Sequence, residues 1–419
     1  TMKKYFAFVI ALTLGFSAAA QKKEIKTATK ELAKGNYEKA GVALDAAEAF
    51  LGSMDEKYKS QYYLQRSIYL LNNGEPDFST VKKSIEALKL VTVPAQAQGV
   101  KDQTQNLKAH LVNKGSSLLK TSDYETSSEY FENAYKLSPN DTVYLFYAAS
   151  TSVNAKIYDR SLAMYEELKS LGYTGIEENY YATNAETQVE ELFGSKVLRD
   201  LSVKSKSHIN AKDETTKSKF PEIIKNIALI YVQNGNNEKA LEAMAIARAE
   251  DPDNLDLLLT EANVYYSMGN NAKFKELLEV AIQKDPINPE LQYNLGVISA
   301  ETNDFENSKK YYQRAIELKP DYTNAYINLA ALILGQEESV LEEMNKLGSS
   351  AADDRKYDEL KAKRNQLYLD AIPYLESAFG IDPGNYQAAK TLANIFSAVG
   401  NTDKYKEYKA LADSLESQE

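Results

Sequence analysis

The sequence predicts an all-α fold of about nine stacked helix pairs, with a small irregular or β insertion. Three observations lead to this prediction. Residues 221–322 match themselves when the sequence is shifted by 34 residues. Each segment of that length holds two runs of apolar residues at helical spacing around a short Gly/Asn turn. A proline closes each segment, because Pro252, Pro286 and Pro320 fall in register.

The segment that begins at 221 indicates how each repeat folds. Ile224 and Ile227 share one face of a first helix, the turn follows at 234–236, and Ala240 and Ala247 mark the buried stripe of a second helix. A single helix pair would leave an apolar face in water. Neighbouring pairs are therefore expected to stack.

Small residues recur in the middle of the first helices, at Ala228, Ala262 and Gly296. Paired helices must approach closely there. Together with the turn and the closing proline, this pattern resembles the tetratricopeptide repeat. The phrase YNLGVISAETNDFENSKKYYQRAIELKP at 293–320 is close to the consensus of that family. The resemblance implies a right-handed α-solenoid whose first helices line a concave groove.

Composition excludes several classes of function. The net charge of −11 argues against a nucleic-acid-binding protein, which should carry a basic patch. The chain has no cysteine, so it has no disulfide, no thiolate metal site and no lipid-anchored N-terminal cysteine. Two histidines nearly exclude a multi-histidine metal site. We expect no metal and no cofactor.

The first residues, TMKKYFAFVIALTLGFSAAA, have a basic start, an apolar run and a small-residue end. This pattern predicts a secretory signal peptide over 1–20. The mature protein is expected to be exported and soluble, without membrane insertion, and periplasmic in a diderm bacterium unless a second step secretes it. Three stretches of the chain resemble exported repeat proteins of the Bacteroidota. They are the end of the signal peptide, the segment LGYTGIEENYYATN at 171–184 and the segment AADDRKYDELKAKR at 351–364.

Segments with and without the repeat pattern alternate along the rest of the chain. Two N-terminal units are predicted over 21–93 and two more over 108–175. Between them, 94–107 is predicted to be a flexible linker because it contains Pro94 and Gly99.

The pattern fails over 176–220. Tyr180, Tyr181 and Thr183, and later Val189, Leu192 and Phe193, favour short strands in a hairpin, followed by an irregular arm. The main repeat block is predicted over 221–335 and a second insertion over 336–353. A long helix and a C-terminal capping unit with a polar outer face are predicted over 354–419.

No motif indicates a catalytic or metal site. The acidic turn DPDNLD at 251–256 lacks the glycine and closing glutamate of an EF-hand loop, and a helix-capping turn explains it better. His208 lies in the insertion, but no nucleophile or acid can be assigned to it from the sequence. We therefore predict that the protein is not an enzyme.

Residues beside the core stripe of the first helices are the candidate binding residues. The family resemblance implies that groove asparagines hydrogen-bond the main chain of an extended peptide, because an amide both donates and accepts. The candidates are Lys225, Asn226, Asn263, Tyr266, Tyr293, Asn294, Asn324 and Asn328.

Three hypotheses of function follow. The first is a protein-binding scaffold or adaptor in the bacterial cell envelope, acting through the groove, the 176–220 insertion, or both. The second is a module that binds glycan or peptidoglycan, with Tyr266 and Tyr293 stacking on sugar rings. The third is a hydrolase that uses His208. The identity of the protein partner and the oligomeric state stay open.

Overall fold

The computed structural model describes residues 22–417, which form two compact units divided after Ile230. The division falls inside one helix, Phe220–Gln233. The signal peptide predicted over 1–20 lies outside the described residues. No helix in 22–417 is long and apolar enough to cross a membrane.

The first unit contains eight helices, an insertion and the start of a further helix. The eight helices are α1 (22–32), α2 (Tyr37–Glu48), α3 (Glu56–Asn72), α4 (Phe78–Lys89), α5 (Ala97–Lys120), α6 (Tyr124–Leu137), α7 (Val143–Asn154) and α8 (Tyr158–Ser170). The insertion comprises β1 (Glu178–Asn184), β2 (Glu190–Phe193), α9 (Lys196–Lys204) and β3 (His208–Thr215), and α10 (Phe220–Gln233) follows it. Successive helices pack against each other, α3 on α4, α5 on α6 and α7 on α8.

The second unit is helical throughout its described part. It contains α11 (Asn237–Glu250), α12 (Leu255–Ser267), α13 (Asn271–Lys284), α14 (Pro289–Glu301), α15 (Phe305–Leu318), α16 (Thr323–Leu334), α17 (Glu337–Asn345), α18 (Ala351–Ile381), α19 (Tyr386–Ala398) and α20 (Thr402–Glu416). The pairs are α12 with α13, α14 with α15, α16 with α18 and α19 with α20. Each unit is thus a stack of helix pairs, as the sequence predicts.

A small residue brings the two helices of a pair together. A Cβ atom placed on Gly296 would lie 2.6 Å from ring carbons of Tyr312, so only glycine fits there. The Ser308 hydroxyl donates to the Gly296 carbonyl oxygen over 2.7 Å. The same bond, twelve residues apart, recurs in the first unit. It joins Ser127 to Gly115 and Ser161 to Ala149.

The turn inside each repeat relies on two local devices. Gly235 and Gly269 adopt φ of +74° and +73°, a left-handed conformation that costs glycine little. Asn303 takes the same place in the next repeat with φ of +59°. Asn236 and Asn270 then cap the second helices, because each side-chain oxygen accepts from the backbone N–H three residues on. The Gly/Asn pattern of the sequence therefore ends one helix and starts the next.

The predicted linker over 94–107 is wrong. Residues 97–107 form the first half of α5, a helix of 24 residues. Gly99 lies in its first turn, where an added Cβ would meet Leu64 at 2.6 Å, so this glycine allows a close helix contact. Gln103 is buried, and its amide donates to the Ser67 hydroxyl. The segment is held by packing that its polar composition does not reveal.

The insertion over 176–220 is a three-stranded antiparallel sheet of order β2-β1-β3, with α9 packed against it. The predicted hairpin is the β1–β2 pair, in which Tyr181 lies opposite Leu192. The predicted irregular arm is wrong, because it forms α9 and β3. The register of β3 against β1 shifts between Tyr181 and Thr183, and Asn210 has φ of +51°.

Arg199 holds the insertion together. Its side chain lies between α9 and the sheet and is 3% exposed. The guanidinium donates to the carbonyl oxygens of Tyr181 and Lys212, and it pairs with Asp200 and Asp213 at 2.7 Å and 2.6 Å. Ala182 is the buried apolar residue of this segment. The insertion is therefore stabilised by charge and hydrogen bonds rather than by an apolar core.

The second predicted insertion, 336–353, is also ordered as helix. It forms α17 and the first turn of α18, which begins at Ala351 rather than near 354. Ser350 and Asp353 form a capping box there: the Ser350 hydroxyl oxygen accepts from the Asp353 N–H, and the Asp353 carboxylate accepts from the Ser350 N–H. Val340 anchors α17 because it is fully buried.

We predict that Gly296→Ala lowers the free energy of unfolding by about 1–3 kcal/mol, because the methyl group overpacks the Tyr312 ring. Gly380→Ala is the matched control. It also replaces a helical glycine, but no atom lies within 4 Å of the new Cβ. This control should be neutral or stabilising by up to about 1 kcal/mol. Thermal and denaturant unfolding measure both, and equal effects would show that the contact is not tight.

Candidate functional site

Six of the eight predicted binding residues lie on three first helices of the second unit. Asn263 and Tyr266 lie on α12, Tyr293 and Asn294 on α14, and Asn324 and Asn328 on α16. Their exposure differs. Asn263, Tyr266 and Asn324 are exposed, whereas Tyr293, Asn294 and Asn328 are half-buried.

Asn328 is used inside the protein. Its side-chain amide donates to the hydroxyl of Tyr293 over 3.0 Å and reaches that of Tyr312 at 3.5 Å. Burial raises the pKa of the Tyr312 hydroxyl. Asn328 therefore satisfies tyrosine hydroxyls that packing removes from water.

Tyr293 is similarly enclosed. Its ring centroid lies 5.8 Å from that of Tyr312 and 5.0 Å from that of Tyr322. The aromatic contacts and the Asn328 bond fix the ring within the α14–α16 packing. A sugar could stack on Tyr293 only if these neighbours moved.

The remaining two predicted residues, Lys225 and Asn226, lie on α10 in the first unit, and both are half-buried. Asn226 donates its amide to the Tyr165 hydroxyl over 3.1 Å. Tyr165 is fully buried, and this burial raises the pKa of its hydroxyl. Asn226 thus has the same role in the first unit as Asn328 in the second.

Four predicted residues keep a surface that a ligand could contact. They are Asn263, Tyr266, Asn294 and Asn324. Tyr266 is 46% exposed, and two contacts orient its ring: the Phe274 ring at 5.0 Å and a hydrogen bond from its hydroxyl to Glu301 at 3.4 Å. Over the residues that the structure describes, the three asparagine side chains have no hydrogen-bond partner.

His208 has partners that the sequence did not identify. Its Nε2 lies 3.1 Å from a Glu191 carboxylate oxygen, and its Nδ1 lies 3.1 Å from the Ser207 hydroxyl oxygen. A serine, a histidine and an acid therefore meet. The Ser207 hydroxyl also lies 3.1 Å from the Ser202 carbonyl oxygen, which can take its proton in place of the histidine. The Phe193 ring packs edge-on against the imidazole at 4.9 Å, so the cluster joins β2 to β3.

The acidic turn at 251–256 also has a structural role. Asp253 pairs with Lys284 at 2.7 Å, and Asn254 accepts from the backbone at the start of α12. Within 22–417, no group of three or more acidic or histidine side chains is arranged to hold a metal ion.

Sequence reasoning missed an apolar surface on α9. Val197, Leu198 and Leu201 are 67%, 56% and 58% exposed on one face of this helix. Ser195 caps the helix, and the spacing i, i+1, i+4 after that cap is the signal that could have identified the face.

We predict that Asn328→Ala lowers the free energy of unfolding by about 1–3 kcal/mol, because it leaves the hydroxyls of Tyr293 and Tyr312 without their partner. Asn294→Ala, one repeat earlier at the same phase, should change it by less than about 0.5 kcal/mol. Denaturant unfolding of both variants tests this contrast. A stable Asn328→Ala protein would contradict the structural role.

We also predict that the insertion loosens in acid. The hydrogen bond from His208 lowers the pKa of Glu191, and Lys196 and Arg199 lower that of Asp213. Carboxyls with a lowered pKa in the folded state stabilise it fully above their ordinary pKa of about 4, and this contribution disappears as the pH falls through the lowered values.

Cleavage by an acid-active protease measures this loosening. We expect cuts between 176 and 219 to appear at a higher pH than cuts in α5–α8. Simultaneous cutting of both regions would contradict a separate acid response of the insertion.

Comparison with known proteins identifies the type of repeat and the residues that match it. A tetratricopeptide repeat model matches residues 231–293, and a second model of the same description matches 111–141 and 289–322. Photosystem I assembly protein Ycf3 of Rippkaea orientalis is 29% identical over 98 residues, which is 23% of this chain. The chain spans about half of that relative, 48% of its length.

Solved structures with a similar fold were also found. The C-terminal part of a TPR repeat-containing protein from Cytophaga hutchinsonii is 16% identical, with 74% of this chain and 96% of that chain covered and a TM-score of 0.49. YrrB, described as a TPR protein with an unusual peptide-binding site, is 13% identical, with 52% and 88% covered and a TM-score of 0.35.

Proposed function

Because the chain is a tetratricopeptide repeat protein, we propose that it is a non-enzymatic scaffold that holds other proteins together. Proteins with these repeats mediate protein–protein interaction or assembly, and Ycf3 is named for assembly. The signal peptide predicted over 1–20 supports a site of action in the bacterial cell envelope.

The observation that carries the proposal is a set of polar side chains on α12, α14 and α16 that are exposed or half-buried. Among the described residues, Asn263, Asn294 and Asn324 have side-chain amides without a hydrogen-bond partner, and the half-exposed Tyr266 lies on α12 with Asn263. An extended peptide presents alternating donors and acceptors, which such amides match. We propose that this surface of the second unit binds a segment of the partner.

The insertion is the second proposed contact. Its two ends lie together, because the Lys219 N–H donates to the Thr174 carbonyl oxygen over 2.6 Å. Strands β2 and β3 are the edges of the sheet, so a partner strand could extend it on either side.

A cross-linked pull-down from the native cell envelope tests the first contact. We predict that Tyr266→Ala combined with Asn294→Ala reduces recovery of the partner at least about tenfold, the effect of losing about 1.4 kcal/mol of binding free energy. Tyr357→Ala is the matched control, since Tyr357 is 47% exposed but lies on α18. Equal recovery with both variants would exclude the α12–α14 surface.

The same pull-down with residues 176–218 replaced by a short linker tests the second contact, because the adjacent ends allow a clean deletion. Loss of the partner would place contact on the insertion. Recovery of glycan fragments without a reproducible protein would favour the glycan-binding alternative and contradict the scaffold.

A further inference from the structure

The helices that carry the proposed partner-binding surface have charges of one sign. Helices α12, α14 and α16 contain no lysine, arginine or histidine, whereas the second helices α13 and α15 carry both signs. The charged residues of α12 and α14 are Asp256, Glu261, Glu290 and Glu301. These three helices therefore offer a partner segment carboxylates and amides, but no cation.

Glu301, at the end of α14, is exposed and has no counter-charge. Its carboxylate accepts from the Tyr266 hydroxyl at 3.4 Å and from the Asn271 side-chain amide at 3.3 Å, and both donors are neutral. Among the residues that the structure describes, it forms no ion pair, whereas Glu261 pairs with Arg248 at 2.6 Å. A carboxylate has about four lone-pair sites, so Glu301 can accept from a cation while the two neutral donors hold it in place.

The cations of the neighbouring elements do not neutralise Glu301. Each lysine of α13 pairs with a different acid, Lys273 with Glu276, Lys275 with Asp304 and Lys284 with Asp253. Lys319, before α16, lies over the Tyr322 ring, which contacts Tyr293 near the opposite end of α14. Lys309 on α15 lines a separate crevice with residues of α16 and α18. The charge of Glu301 is therefore left for a ligand.

Tyr266 adds an aromatic face beside this carboxylate. Its ring is 46% exposed and rests against the Phe274 ring at 5.0 Å, and its hydroxyl is bonded to Glu301. A guanidinium is planar and presents a fork of donors, so it can stack on a tyrosine ring and also donate to a carboxylate. A lysine ammonium can pair with the carboxylate but has no plane to stack. The pair of Tyr266 and Glu301 therefore fits arginine better than lysine.

We propose that Tyr266 and Glu301 form a subsite for an arginine side chain of the bound partner segment. This inference rests on the proposed function, in which the surface of α12, α14 and α16 binds such a segment, and it adds the chemistry that is recognised. Asn263 lies one turn before Tyr266 on α12, so its amide meets the main chain of the segment next to the arginine. Glu301 determines specificity, because it attracts a basic residue and repels an acidic one.

Selection of random peptides displayed on phage against the purified protein tests the proposal. We expect arginine to be enriched at one position of the selected peptides, and lysine to be enriched less. Glu301→Gln keeps an acceptor for Tyr266 and Asn271 but removes the charge, so the enrichment of arginine should disappear. Glu279→Gln is the matched control, because Glu279 is an exposed glutamate on the second helix α13 and its change should leave the enrichment intact.

Fluorescence anisotropy of one selected, labelled peptide measures the size of the effect. Replacing its arginine by glutamine should weaken binding to the wild type about tenfold, through the lost ion pair and the lost stacking together. The same replacement should have no effect on binding to the Glu301→Gln protein. Tyr266→Phe keeps the ring and should retain the preference for arginine over lysine, whereas Tyr266→Ala should lose it. Added salt should weaken the arginine peptide more than the glutamine peptide.

The possible outcomes separate this inference from the proposed function. Selected peptides without a basic residue at a fixed position would overturn the arginine subsite, and so would the same enrichment of arginine with Glu301→Gln. Either result would leave the peptide-binding surface itself in place. Selection of no peptide above background would instead contradict that surface, and the arginine subsite with it. Melting curves of each variant must match that of the wild type, so that unfolding is excluded.

Discussion

The structure depends on one close contact, repeated along the chain, between the middle of a first helix and the second helix of the same pair. Gly296 lies against the Tyr312 ring, and Gly115 against that of Phe131. A serine on the second helix then donates to the carbonyl oxygen at this point. Because the helices are so near, a hydroxyl can reach a backbone oxygen that is already in a helical bond. This polar bond inside the contact fixes how the two helices are aligned.

The close contact has a consequence for the polar residues nearby. A tyrosine that fills the space beside a glycine brings its hydroxyl into the interior, where it needs a partner. Asn328 supplies one for Tyr293 and Tyr312, and Asn226 supplies one for Tyr165. Asparagines at this phase of the first helices can therefore serve the fold or a ligand. In each repeat, the packing around the asparagine determines which of these two roles it has.

This explains what the sequence could and could not predict. The 34-residue period predicted the helix pairs, the turns and the buried positions, because each is set by residues close in sequence. Leu295 and Ala281, for example, are buried as that phase requires. The period could not separate Asn294 from Asn328, since the two are equivalent by register. Their difference arises from Tyr293 and Tyr312, which lie on two other helices and present their hydroxyls to Asn328.

Where the period stops, prediction from the sequence failed for a different reason. The first half of α5 looked like a linker because it is polar, yet Gly99 and Gln103 lie against α3. Helix α9 and β3 looked irregular because their apolar residues do not face a core. Both errors came from the assumption that ordered structure requires an apolar inner face.

The insertion is an ordered segment without an apolar inner face. Arg199 makes hydrogen bonds and ion pairs at the place where the β1–β3 register shifts, so it supplies donors to carbonyls of both strands. Charge and hydrogen bonds order this segment, and its large apolar side chains are left at the surface. Apolar side chains that the fold does not use are available for recognition. A segment that is folded by polar contacts and inserted between helix pairs can therefore present a binding surface without weakening the core of the array.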